Sequence, residues 1–146
     1  MDWRNARFVM PGTGRCPARP VRFVDGIAES EDGCYRFETG PGLDREIVYA
    51  DLTGDGHEDA LLMLRCGQPD ATALTVVVAV TVDARGVVLP LGTVFLPDVW
   101  TWQPVDLLVW HGDIALRVLD LDTGRCWTRY HRWSETARDF VRLDGG

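Results

Sequence analysis

Hydrophobic positions in this chain fall in short runs rich in Val, Leu, Phe, Tyr and Trp, each closed by turn-forming residues. The runs predict strands near Val21–Val24, Cys34–Glu38, Glu46–Ala50, Ala60–Cys66, Ala73–Val82, Val87–Phe95, Val105–Trp110, Ile114–Leu119, Arg125–Trp133 and Phe140–Leu143. Between them stand Asp32-Gly33, Asp83-Ala84-Arg85-Gly86, His111-Gly112-Asp113 and Asp122-Thr123-Gly124, reversals in which Gly supplies a positive φ. No segment holds a helical period for three turns, and Ser134 to Asp139 offers a single turn at most. Successive hairpins imply an all-β fold, an antiparallel sandwich or open barrel with at most a short helix. Met1 to Pro20, dense in Pro and Gly, reads as an irregular entry segment (1–20) ahead of a single antiparallel β domain (21–146).

Composition narrows the class. The 146 residues suit one domain, and 46% hydrophobic with 25% charged residues is the balance of a globular chain. Acidic residues outnumber basic ones 22 to 15, for a net charge of −7, which argues against a nucleic-acid partner. Every basic residue is Arg and Asn5 is the only Asn, a bias that a GC-rich genome writes. The longest apolar stretch, Leu74 to Val82, is too short to span a bilayer, so no membrane span is expected. Met1-Asp2-Trp3-Arg4 does not open a signal peptide. If the protein is exported, its signal or anchor is absent from this chain.

Cys16, Cys34, Cys66 and Cys126 are widely spaced, with no C-x-x-C pair and no zinc spacing. In a β-rich chain this suits disulfides, which persist in oxidising compartments. Four cysteines allow three connectivities. Cys16–Cys34 with Cys66–Cys126 is the preferred expectation, one bridge stapling the entry and the other tying two strands.

The sharpest chemical pattern is the acidic loop Asp51-Leu52-Thr53-Gly54-Asp55-Gly56-His57-Glu58-Asp59 between two apolar strands. Oxygen-bearing side chains fall at Asp51, Thr53, Asp55 and Asp59, and the carbonyl of His57 completes the odd-position series. Gly54 and Gly56 allow the coil that lets these donors converge, and Glu58 points out. Converged carboxylates repel, a penalty that a divalent ion removes. Ca²⁺ is the expected cofactor, since it accepts six to eight oxygens in irregular geometry whereas Mg²⁺ demands an octahedron. The alternative is an Asp- and Gly-rich hairpin without metal, its carboxylates accepting from backbone N–H groups as Asx turns.

The stretch resembles the calcium-binding hairpin of the FG-GAP/VCBS type, D-x-[DN]-G-D-G-x-x-D between two strands. Asp51, Gly54, Asp55, Gly56 and Asp59 match, and Thr53 replaces the usual Asp or Asn. Similar hairpins with flanking cysteines occur in small secreted or lipid-anchored actinobacterial proteins of unassigned function. An EF-hand is excluded, because Leu62 holds its twelfth position and no helices flank the loop.

Other chemistry is sparse. Trp100 and Trp102 fall on one face of an extended segment, as a stacking platform for a ligand or as packing beside Pro97 and Pro104. In the run Arg125–Trp133, alternation sets Cys126, Thr128, Tyr130 and Arg132 against Trp127, Arg129, His131 and Trp133, with an Arg129–Trp stack in reach. Ser30 and Ser134 lie outside any G-x-S-x-G, and His57, His111 and His131 have no H-E-x-x-H spacing. With no catalytic residue assigned, the leading expectation is a non-enzymatic, calcium-braced β-domain of the cell exterior or envelope, binding or assembling with a protein or glycan. A small secreted carbohydrate-active enzyme or lectin-like accessory is the first alternative, and a cytosolic immunity or pathway-accessory protein the second.

Overall fold

A computed structural model describes residues 2–11, 19–30, 33–37, 47–67 and 74–143. Among these residues a 3-10 turn, Trp3–Asn5, precedes twelve strands: β1 (Arg7–Met10), β2 (Arg19–Arg22), β3 (Ile27–Ser30), β4 (Gly33–Phe37), β5 (Ile47–Ala50), β6 (Asp59–Gly67), β7 (Leu74–Val82), β8 (Val88–Phe95), β9 (Trp102–Trp110), β10 (Asp113–Asp120), β11 (Cys126–Ser134) and β12 (Asp139–Arg142). The fold is all-β. Among the described residues all pairings are antiparallel and form three sheets: the hairpin β1-β2, a six-stranded sheet built on β3-β4-β6-β7-β8, and the four-stranded sheet β12-β11-β10-β9. Strands β4 and β5 share one edge of β6 end to end, β4 against Leu64–Gly67 and β5 against Asp59–Leu62.

The six-stranded sheet is the middle layer. Ala60, Leu62 and Leu64 of β6, with Val76, Val78 and Val80 of β7, face a core closed by Trp3, Phe8, Met10 and Phe23. The intervening residues Leu61, Met63, Val77 and Ala79 face a second core with Leu107, Ile114, Leu116 and Val118 of the four-stranded sheet. Burial on both faces explains why β6 and β7 are apolar without alternation. The strand prolines sit where no ladder donor is needed, Pro20, Pro90 and Pro104 lying on the outer strands β2, β8 and β9 of their sheets.

Three expectations change. The stretch expected to be irregular contains the 3-10 turn, β1 and the start of β2, because Phe8 and Met10 alternate inward and an aromatic chain runs from Trp3 through Phe8 and Phe23 to Phe37. Its end is fastened by the Trp3 indole N–H, which donates to the Tyr49 hydroxyl at 2.7 Å. The Cys66–Cys126 bridge does not form: Cys126 is an exposed free thiol, whereas Cys66 is buried in the first core. Cys16 and the side chain of Cys34 lie outside the described residues. Finally, Arg129 lies over Phe95, 5.3 Å from its centroid, rather than over a Trp.

The middle sheet also meets the four-stranded sheet edge to edge, where β8 passes β12. A Cβ on Gly92 would come within 2.9 Å of Asp139 Oδ1, and that oxygen already accepts from the Phe140 N–H. Asp139 is exposed and can swing aside, so we expect Gly92→Ala to cost less than about 0.5 kcal/mol in urea unfolding, whereas Gly86→Ala, at φ 82°, should cost about 1 kcal/mol through backbone strain alone.

Candidate metal-binding loop and adjoining grooves

The acidic loop joins β5 to β6 and spans the seam between the two larger sheets. Its depth is set by Leu52, buried in the second core beside Val77 and Leu107. Gly54 and Gly56 adopt φ of 79° and 84°, and nothing would obstruct a Cβ at either, so it is conformation and not space that requires glycine.

Carboxylates organise the loop. Asp51 accepts from Gly54 N–H at 2.8 Å through one oxygen and from Gly56 N–H at 2.9 Å through the other. These bonds, that from Gly56 foremost, hold its carboxyl below the ordinary range. Asp55 Oδ1 accepts from His57 N–H at 2.9 Å, and Asp59 Oδ2 from Leu52 N–H at 2.8 Å. Each of Asp51, Asp55 and Asp59 contributes an oxygen to a cluster whose members lie within 4.8 Å of one another. Asp59 is only 2% exposed, and its Oδ1 is buried without a hydrogen-bond partner. A carboxylate oxygen has lone pairs to spare, so the Asx-turn bonds and a shared cation are compatible.

Of the five residues expected to supply the odd-position series, three converge by their side chains. Thr53 lines the grooves on both sides of the loop. His57 is exposed and turns its N–H back to Asp55, and Glu58 is exposed as expected. Leu62, at the EF-hand's twelfth position, is buried inside β6.

Two hairpin tips of the four-stranded sheet face the loop. The β9–β10 turn brings Gly112 to the Asp51 carbonyl, 3.9 Å from where a Cβ would stand. A groove of about 410 Å³ there includes His111, Asp113 and Arg132. On the other side, the β11–β12 tip contributes Trp133, Glu135 and Arg138 to a groove of about 230 Å³ that also contains Thr53, Asp55 and Asp59. Trp133 Nε1 and Arg138 both donate to Glu135 at 2.8 Å, which keeps the Glu135 carboxyl below its ordinary range, the indole contributing most. The sequence did not signal this tip, since only tertiary packing brings it to the loop; its one local mark is the crowding of Trp, Glu and Arg in a turn.

Trp100 and Trp102 sit in different settings. Trp100 is 71% exposed in the turn before β9, whereas Trp102 packs edge-on to Trp127, 5.0 Å between centroids.

Arg132 grips Asp113 with two bonds, Nε to Oδ1 at 2.6 Å and a terminal N–H to Oδ2 at 2.9 Å, and so lowers the Asp113 pKa. A depressed folded-state value means that this contribution is present above the ordinary Asp value of 3.8 and is lost as pH falls through the folded value. Below about pH 4 this exposed pair should add a small contribution to the fall in melting temperature. Arg132→Gln should flatten that limb, and a slope unchanged from wild type would remove Asp113 from the account.

Among the described residues no helix is long and apolar enough to cross a membrane. No family model, curated protein or solved structure matches the chain, so its chemistry rests on its own geometry.

Proposed function

We propose that this chain is a non-enzymatic β-domain of the cell exterior whose Asp51–Asp59 loop holds Ca²⁺ as a clasp between the two larger sheets, serving as a binding or assembly module. The observation that carries the reading is Asp59 Oδ1, a buried carboxylate oxygen with no partner beside two further carboxylates. A charge so placed is costly unless paired, and a divalent cation both pairs it and relieves the repulsion. The D-x-T-G-D-G-x-x-D pattern adds support. Thr53 in place of a carboxylate or amide points to the weak range of about 10⁻⁴–10⁻³ M typical of extracellular modules. An ion of that affinity braces the fold and does not signal.

The exposed Cys126 thiol favours one other reading, a cytosolic accessory protein, because free surface thiols endure in reducing compartments. Calorimetric melting with Ca²⁺ and with chelator, each with and without reductant, separates the two. We expect Ca²⁺ to raise the melting temperature and chelator to reverse it. Indifference to both ion and reductant would sink the clasp and leave the cytosolic reading.

A further inference from the structure

We infer that the groove between the acidic loop and the β11–β12 tip is a saccharide site, in which a neutral pyranoside completes the coordination of the clasp ion through adjacent hydroxyls. The inference rests on the calcium reading and extends it from brace to binding site.

Position comes first. Asp55 and Asp59 both line this groove, so an ion shared by the three carboxylates lies in its wall. Three carboxylates bound through one oxygen each fall short of the six to eight that Ca²⁺ takes, and a ligand in the groove can supply the difference. The buried, unpartnered Asp59 Oδ1 is the independent mark that the cluster is built to hold something.

Charge decides the ligand class. Asp51, Asp55, Asp59 and Glu135 set four negative charges against Arg138 and a divalent ion, leaving about one net negative charge, which disfavours carboxylate or phosphate ligands. A cationic ligand would compete with the ion for the same oxygens. Neutral hydroxyls face no such penalty. The lining matches a sugar ring in kind: Leu91 and Trp133 offer apolar surface, while Thr53 and Thr81 carry hydroxyls. Arg138 spends one N–H on Glu135, and its guanidinium has others to offer a hydroxyl oxygen. A volume of about 230 Å³ is below the roughly 300–1,000 Å³ of pockets for drug-sized ligands, so the site admits one ring.

Saturation-transfer NMR on the full chain tests this, with methyl glycosides of mannose, galactose, glucose, fucose and N-acetylglucosamine as probes, in Ca²⁺ and in chelator. We expect transfer to at least one glycoside in Ca²⁺ and none in chelator. Arg138→Gln, at an exposed turn, should weaken that binding about tenfold while leaving the Ca²⁺-induced rise in melting temperature intact. Transfer that persists in chelator overturns the inference, because the sugar then does not bind through the ion. A protein stabilised by Ca²⁺ that shows no transfer to any probe also overturns it, and the clasp alone stands. Loss of both responses fells the clasp as well.

Discussion

Asp59→Ala should destabilise the protein by about 2–3 kcal/mol even in chelator, and Asp59→Asn should not. The difference isolates two duties of one buried carboxylate. Asp59 Oδ2 accepts the Leu52 N–H, and Leu52 in turn plugs the second core. Ala leaves that buried donor unsatisfied, at about 1–3 kcal/mol, and opens a small void at the head of β6. Asn retains an oxygen for Leu52 and places an amide N–H₂ where Oδ1 stands without a partner, directed toward the neighbouring carboxylates. In chelator it should melt at or above wild type. With Ca²⁺ the order reverses: wild type gains about 1.4 kcal/mol at tenfold excess over Kd and about 2.7 at a hundredfold, and Asp59→Asn, short of one charged ligand, gains little. Calorimetry of the three proteins in both conditions reads this out. An Asn variant that keeps the full Ca²⁺ response would remove Asp59 from the ion.

What the sequence disclosed depended on how local each signal was. Strands β6 to β12 were legible because Asp83–Gly86, His111–Gly112 and Asp122–Gly124 mark their turns within a few residues. Strand β1 was not, since Pro11, Gly12 and Pro17 drew the reading to the gaps and away from the alternation of Phe8 and Met10. Strand β3 was missed beside an available signal: Asp25 and Gly26, both at positive φ, make the two-residue turn bridged by Val24 and Ile27. At the site, the convergence of Asp51, Asp55 and Asp59 followed from spacing alone. Trp133, Glu135 and Arg138 lie more than seventy residues further along the chain, and only the packing of one sheet on another brings them there. A local turn at Trp100 and Thr101 leaves Trp100 off the strand that begins at Trp102, so the two do not share an extended face.

The layer count was the deepest omission, and it yields the second large prediction. A two-layer sandwich would bury one face of β6 and wet the other, so truncating two adjacent residues should give one large and one small loss. Here Leu61 and Leu62 are both 0% exposed, Leu61 against the four-stranded sheet and Leu62 against the layer formed by the 3-10 turn and the β1-β2 hairpin. Each truncation removes buried methyl groups and leaves a cavity in a separate core, so Leu61→Ala and Leu62→Ala should each cost about 2–5 kcal/mol. Leu61 and Leu62 share one stretch of backbone, so the departure of the double variant from the sum of the single losses measures how strongly the middle sheet couples the two cores. Urea unfolding of the three variants measures this. A Leu62→Ala loss below about 1 kcal/mol would mean that the N-terminal hairpin does not cover that face. A double variant far short of additive would mean that the two cores relax as one. The clasp adds a directional consequence: Ca²⁺ should add its full increment to Leu62→Ala and a smaller one to Leu61→Ala, whose cavity lies in the core that seats the loop through Leu52 and so weakens its affinity for the ion.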